Sequence, residues 1–325
     1  AVRGDGLRVG MTRQWLARTE EQLPGIEQLG AEVRRMGEAL KHRMQASEVP
    51  YYEGPVLFEG AAAAQLLVQL LAPSLRGTPP VPQPGRSYQQ QTRRGPRLNR
   101  KVLPAGWRVS DDPRRRHEQL PGGYDYDQEG VQAEPVELVR DGRVVDFVMS
   151  RVPRSELAGS NGHARGGLGG QLAGRLADWS VVPGRGLSSR AMDRALARAQ
   201  RSAGLERVLV IRALDRSSAG RLGRVSEAVW RYGDGREEPV LALEFLGVDR
   251  RSLRDIVAAS AEQQTYGYLA STSAGGKIGS TSGMPTVIRA PRGLLLEQLE
   301  LAYPGSSQKP FAIPPPPLLA EQDGS

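Results

Sequence analysis

The 325-residue chain contains no cysteine, and its three histidines, His42, His117 and His163, lie far apart. These scarcities exclude a zinc site of mixed thiolate and imidazole, thiol nucleophilic catalysis and disulfides. With no cysteine, the redox compartment is not readable from the sequence. Lysine is nearly missing too. It occurs only at positions 41, 101, 277 and 309, so arginine carries most of a net charge of +8. Aromatic residues make up 5%, which points to a core of Leu, Val and Ala. It also leaves the basic residues without the interleaved aromatics of a strand-stacking surface. The charge excess attracts anions in general, and nucleic acid is not the expected partner. No apolar run approaches the roughly 18 residues of a membrane-spanning helix. The longest, 61–73, contains Gln65 and Gln69. The first residues hold no hydrophobic leader. A cytoplasmic chain is the expectation. A start at Ala1 rather than Met leaves open a processed or exported form, or a fragment of a longer protein.

The 39 glycines and 24 prolines predict many turns and long loops without reaching the density of a disordered polymer. Ile26, Leu29, Val33, Met36, Leu40 and Met44 recur at spacings of three and four and predict a helix over 26–44. Pro24 and Gly25 separate it from an earlier helical stretch at 12–23. Residues 55–60 read as a strand and 61–71 as a buried helix that Pro73 ends. Residues 74–105, rich in Pro, Gly, Gln and Arg, form a long excursion. From about 106 the pattern turns to strands. A hairpin is expected over 135–149 around Asp141-Gly142, and a helix over 188–203 with Met192, Ala195, Leu196, Ala199 and Ala203 inward. A strand follows at 208–211, then a second hairpin of 227–232 and 240–245. Ser252 is placed to cap a short helix containing Leu253, Ile256 and Val257. A Ser/Thr/Gly-rich stretch covers 271–285, and 314–317 is a short polyproline element. The predicted class is α+β: a large, mainly antiparallel β-rich domain at 49–306 with peripheral helices. A helical segment precedes it at 1–48, and a Pro-rich tail follows at 307–325.

Few constellations suit chemistry. Asp125, Asp127 and Glu129 alternate, so an extended backbone would put three carboxylates on one side. They would then suit a hard cation or acid–base work; turn capping and pairing with Arg114–Arg116 are the plainer reading. His163 and Arg165 follow a turn at Asn161-Gly162 and could receive a carboxylate or peptide terminus. His117-Glu118 begins like a zinc-helix motif and fails, because Pro121 and Gly122 stand where the second His would be. Gly275-Gly276-Lys277-Ile278 lacks the hydroxyl residue that a phosphate loop places after its lysine.

Taken together, several segments resemble the TldD/TldE (PmbA) family, the modulator-of-gyrase proteins. They are Tyr52-Glu53-Gly54-Pro55-Val56-Leu57-Phe58-Glu59 as an opening strand, Asp111-Asp112-Pro113, and Tyr126-Asp127-Gln128-Glu129-Gly130. The hairpin at Gly142, then Asn161-Gly162-His163-Ala164-Arg165, then Ala290-Pro291-Arg292-Gly293-Leu294-Leu295-Leu296-Glu297 follow in family order, spanning about 50–305. The resemblance implies a β-rich C-terminal domain and a pairing between a zinc peptidase subunit, TldD, and a TldE subunit without the metal site. TldD's first His would fall on Val68, its Glu on Gln69 and its second His on Pro73, and the chain has no Cys to complete the set. The resemblance therefore implies a non-catalytic TldE-like subunit or scaffold, with no cofactor of its own and zinc only in a TldD-like partner. It also implies a dimer with that partner or with a second copy, acting on peptide or unfolded polypeptide. His163, Arg165, Asp125, Asp127 and Glu129 are the candidate contacts for a peptide or anion. The alternatives are a hydrolase that uses those five residues, and an anion- or nucleic-acid-binding module.

Overall fold

The computed structural model describes residues 9–11, 13–46, 48–78, 97–117, 120–154, 156–157, 159–166, 172–215, 217, 221–241, 243–270 and 283–303. Most of 74–105, the Lys277 loop and the 314–317 element fall outside the described residues. So do Thr12 and Glu118.

Two sheets enclose one buried helix. The first sheet runs in the order β10-β9-β8-β1-β15-β11, with β12 also paired to β15. Its centre is β1 (Tyr51–Glu59), antiparallel to β15 (Gly293–Ala302) and parallel to β8 (Arg207–Leu214). On one side of β8 lie β9 (Val225–Tyr232) and β10 (Glu237–Val240), and β11 (Glu244–Leu246) and β12 (Ile256–Ala259) flank β15. The second sheet runs β13-β14-β7-β2-β3-β4. It comprises β2 (Arg108–Asp111), β3 (Val136–Arg140), β4 (Arg143–Val144), β7 (Asp178–Val182), β13 (Gln263–Ala270) and β14 (Met284–Pro291). A two-stranded ribbon pairs β5 (Ala164–Arg165) with β6 (Ala173–Gly174). Most pairings are antiparallel; β1 with β8 and β14 with β7 are parallel. The architecture is α+β and β-rich, as the sequence predicts.

Between the sheets lies α2 (Ala61–Leu70), against β8 and β1 on one side and β14 on the other. Its sequence explains the position. Ala62, Ala63 and Ala64 let strands approach closely, and Leu66, Leu67, Leu70 and the capping Leu71 are buried with Phe58, Leu138, Trp179 and Leu209 in one core. Pro73 cannot continue an α-helix, and the chain tightens there into a 3-10 turn, Ala72–Leu75. A third helix, α3 (Ser189–Ser202), covers the opposite face of the first sheet. Met192 and Leu196 pack on Leu57, Val208, Val210 and Leu295, while Arg190, Arg194, Arg198 and Arg201 stay exposed. The first helix, α1 (Ile26–Met44), has the predicted bounds, yet Ile26 and Val33 of its stripe are 88% and 63% exposed. Midway along it, Glu32 pairs with Arg13 at 3.6 Å, and Arg13 also reaches Glu227 of β9 at 3.3 Å; apolar packing is at its C-terminal end. Leu40 and Met44 pack near Val9, Ala46 and Leu241, and the buried Arg43 donates from Nη1 to the Gly10 carbonyl at 3.2 Å.

Four local expectations are corrected. Of the stretch 12–23, the described residues 13–23 hold no helix beyond the 3-10 turn Glu20–Gln22. Trp15 and Leu23 remain exposed there, so tertiary packing does not offset the cost of nucleating a helix. In the first hairpin, Asp141 and Gly142 adopt φ of 49° and 72°, the left-handed pair a two-residue turn requires, but the second arm pairs regularly only at Arg143–Val144. A Cβ on Gly142 would sit 2.3 Å from the Pro104 carbonyl oxygen. The second hairpin divides its returning arm: Glu237–Val240 pairs with β9, whereas Glu244–Leu246 crosses to β15. The segment after Ser252 is a single 3-10 turn, Ser252–Asp255, and Ile256 opens a strand. The β-branched Ile256 and Val257 favour that extended path.

Candidate functional site

The helix that the resemblance marks as the metal-bearing element is built here for packing. Val68 packs against the main core. Gln69 uses both ends of its amide. Nε2 donates to the Asp215 carbonyl at 3.0 Å, and Oε1 accepts from the Gly223 N–H at 2.7 Å. One turn earlier, Gln65 Oε1 accepts from the Leu214 N–H at 2.7 Å, and Nε2 lies 3.2 Å from the Tyr266 hydroxyl. The two glutamines thus bind the end of β8 to α2. A zinc ion does not fit this donor set. Val68 and Pro73 have no ligating atom, and an amide oxygen already engaged with a backbone N–H is neither a base nor a strong ligand. Among the described residues, no three His, Cys, Asp or Glu side chains are grouped so as to hold a metal.

The motifs of the second half converge on a buried polar knot between β2, β7 and the loops beside them. Asp111 is fully buried, and its two carboxylate oxygens accept from the backbone N–H groups of Ala177 and Asp178, each at 2.8 Å. His163 is equally buried. Its Nδ1 lies 2.9 Å from both the Asn161 carbonyl and Oδ1, and its Nε2 stands 3.7 Å from Asp111 Oδ2 without a hydrogen-bond partner. Asn161 holds the loop by accepting from the Met149 N–H at 2.8 Å and donating to the Phe147 carbonyl at 2.8 Å. Gly162 makes the turn at φ 72°, where a Cβ would meet the Gln132 carbonyl oxygen at 2.2 Å. Arg165 lies beneath, donating to the Leu176 carbonyl at 2.8 Å and the Pro285 carbonyl at 2.6 Å. Burial is the leading influence on each charge: it pushes the Asp111 carboxyl above the ordinary carboxylate range and pulls the Arg165 guanidinium down. Arg175 is pulled down to about 10, by burial and by the neighbouring Arg76 and Arg165.

The three alternating carboxylates do not share a face. Residues 127–130 form a turn closed by the Gly130 N–H on the Asp127 carbonyl at 3.1 Å. Asp127 points inward, where it accepts from the N–H groups of Glu129, Val131 and Ala164, each at 2.9 Å. Asp125 points outward and pairs with Arg116 at 2.9 Å. Glu129 accepts from the Arg151 N–H at 2.6 Å. The alternation rule fails because it presumes an extended backbone, and Gly130, at φ 73°, turns the chain. The structure thus brings His163, Arg165 and Asp127 into one interior knot with Asp111, and leaves Asp125 and Glu129 on its outer side. Sequence reasoning passed over Asp178, whose carboxylate gathers Arg115, His117 and Arg289. Its only local signal is a lone acid inside an apolar strand, Asp178-Trp179-Ser180-Val181-Val182.

The family model for the PmbA/TldA metallopeptidase C-terminal domain matches residues 52–291. Among solved structures, the fold is similar to a proposed modulator of a DNA gyrase from Thermotoga maritima. The TM-score is 0.59 at 18% identity, covering 88% of this chain and 57% of that one. It is also similar to TldE from Thermococcus kodakarensis, with a TM-score of 0.55 at 15% identity, covering 85% and 56%. The chain spans a little over half the length of these relatives. No curated protein matches. With 240 consecutive residues, from 52 to 291, fitting the family model over a sandwich of the same fold, the chain belongs to the TldD/TldE (PmbA) family, the modulator-of-DNA-gyrase proteins.

Proposed function

We propose that this chain is the non-catalytic, TldE-type member of a peptide-processing assembly, supporting a TldD-like subunit or a second copy of itself. One observation carries the reading. The residue at the position of the family's catalytic Glu, Gln69, has both amide ends committed to the backbone at Asp215 and Gly223. A carboxylate at that position would lose the donor and face the Asp215 carbonyl. The helix is therefore adapted to holding the two sheets together, with Val68 in the core and Pro73 ending it. The knot around Asp111 supports the same reading, since Arg165 and Asp127 spend their polar atoms on backbone groups and His163 gives its Nδ1 to Asn161.

Co-purification with a co-encoded TldD-like subunit tests the pairing. Each subunit is assayed alone and together on unfolded peptides, with stoichiometric zinc. Activity is expected only when the TldD-like subunit is present. Peptide cleavage by the isolated chain, accompanied by tightly bound zinc, overturns the reading.

A further inference from the structure

Side chains alternate across the second sheet. Ser110 of β2, Asp178, Ser180 and Val182 of β7, Arg289 of β14, and Gln263 of β13 lie on the face opposite to Val109, Trp179, Ile288 and the core. The register sets Ser180 beside Arg289 on one side and Ser110 on the other. Asp178 is buried beneath this face. Its Oδ1 accepts from Arg115 Nη1 at 3.2 Å and from Arg289 Nη2 at 3.1 Å, and its Oδ2 meets His117 Nε2 at 2.5 Å. One carboxylate serves two permanently charged guanidiniums, so at least one positive charge is left over. Among the described residues, Asp178 is the only carboxylate in ion-pair contact with Arg289. Glu262, on the turn leading into β13, is engaged by Arg292 at 2.7 Å.

Beside Arg289 the face opens into a pocket of about 430 Å³, lined by Ser180, Val182, Pro183, Ala261, Gln263 and Arg289. Its lining divides by chemistry into Arg289, Ser180 and Gln263, and into Val182, Pro183 and Ala261. Backbone bonds fix the walls. The Leu187 N–H donates to the Ala259 carbonyl and the Ala261 N–H to the Leu187 carbonyl, both at 2.8 Å. Gly186 lets the two segments touch, since a Cβ there would lie 2.6 Å from Ala261 Cα. A preset shape spares an occupant the entropy of ordering its site.

We propose that this pocket binds a small carboxylate with an apolar body. The guanidinium N–H groups of Arg289 that Asp178 leaves free take the carboxylate beside the Ser180 hydroxyl and the Gln263 amide, and Val182, Pro183 and Ala261 cover the adjoining apolar group. A peptide's C-terminal leucine and a free branched-chain acid share this chemistry. All the lining residues are this chain's own, so the binding test needs no partner subunit.

Calorimetric titration of the full chain with N-acetyl-Ala-Ala-Leu, with its C-terminal amide and with isovalerate tests it. The free acid is expected to bind at least about tenfold more tightly than the amide, the effect of losing one hydrogen-bonded charge. Isovalerate binding as well as the peptide acid assigns the site to free acids; much weaker isovalerate binding assigns it to peptide termini. Equal affinity for acid and amide, or no binding of either carboxylate, overturns the proposal. Arg289→Gln is expected to abolish binding but also disturbs Asp178. Val182→Glu is therefore the second variant, because Val182 is 50% exposed and lies outside the Asp178 cluster. Its added negative charge is expected to weaken the acid by about tenfold or more. Unchanged affinity in a Val182→Glu protein with an unaltered melting temperature also overturns the proposal.

Discussion

Individual residues in this chain are specialised for backbone recognition. Asp111 offers one oxygen to each of two N–H groups, so Asp111→Asn, which has one acceptor, turns an amide NH₂ toward a backbone donor. Urea denaturation reads the difference in stability from wild type. Its pH dependence has a defined sign. Burial raises the folded-state carboxyl pKa above the unfolded value, so the group's stabilisation is complete below the ordinary carboxylate range. It is lost as pH rises through the raised value. The urea midpoint of wild type should therefore fall relative to that of Asp111→Asn from pH 4 to pH 7.5; a relative rise contradicts the assignment. At Gln69 the expected outcome is equally specific. Gln69→Glu loses the donor to the Asp215 carbonyl and places a negative charge against that oxygen, destabilising by about 1–3 kcal/mol. Thermal melts measure it, and zinc should not restore the loss, because Val68 and Pro73 supply no ligand. The sequence displays Asp111 and Gln69 plainly. It does not display that their partners are backbone atoms 66 and 146 residues away.

Helices α1 and α3 carry similar apolar stripes and have different fates. The stripe of α3 closes over β1, β8 and β15, and Leu196 is almost wholly buried. Leu196→Ala should cost about 2–4 kcal/mol through the cavity it leaves. The stripe of α1 meets the body only near its C-terminal end, so Val33→Ser, at a position 63% exposed, should change stability by less than about 0.5 kcal/mol. Paired denaturation curves decide it, and a Val33→Ser cost matching that of Leu196→Ala would show that α1 is packed along its whole length. Periodicity located both helices because it reports which residues share a face. It carries no information on whether a sheet lies against that face. The same limit explains the returning arm of the second hairpin. Its apolar run is visible over 240–245, but the change of partner from β9 to β15 depends on where β15 lies.

Assembly is the question at the scale of the whole molecule. The TldE-type reading leads to a stable dimer, with a TldD-like subunit or with a second copy. Light scattering at micromolar concentration should give about twice the 35.2 kDa chain mass if the chain pairs with itself. A monodisperse monomer rejects the homodimer and directs the measurement to the mixture with the TldD-like subunit. A mixture that also runs as separate monomers rejects the pairing. No helix among the described residues is long and apolar enough to span a membrane.

By itself, the sequence determined the α+β class, the bounds of α1 and α3, the buried character of α2 and the family, because each depends on local periodicity or on motif order. It also determined that Val68 and Pro73 carry no ligating atom and that Gln69 carries an amide rather than a carboxylate, since side-chain chemistry is a property of the residue. Tertiary structure decided what the remaining polar residues do. Asp111, Asp127, His163 and Arg165 are separated by up to 54 positions, from 111 to 165, and only the convergence of β2, β7 and three loops makes them one interior knot. The positive face at Arg289 arises the same way. Its charge excess comes from Arg115, on the loop after β2, and Arg289 of β14 sharing the one carboxylate of Asp178 on β7, and such a sum exists only once that loop and the strands are in place.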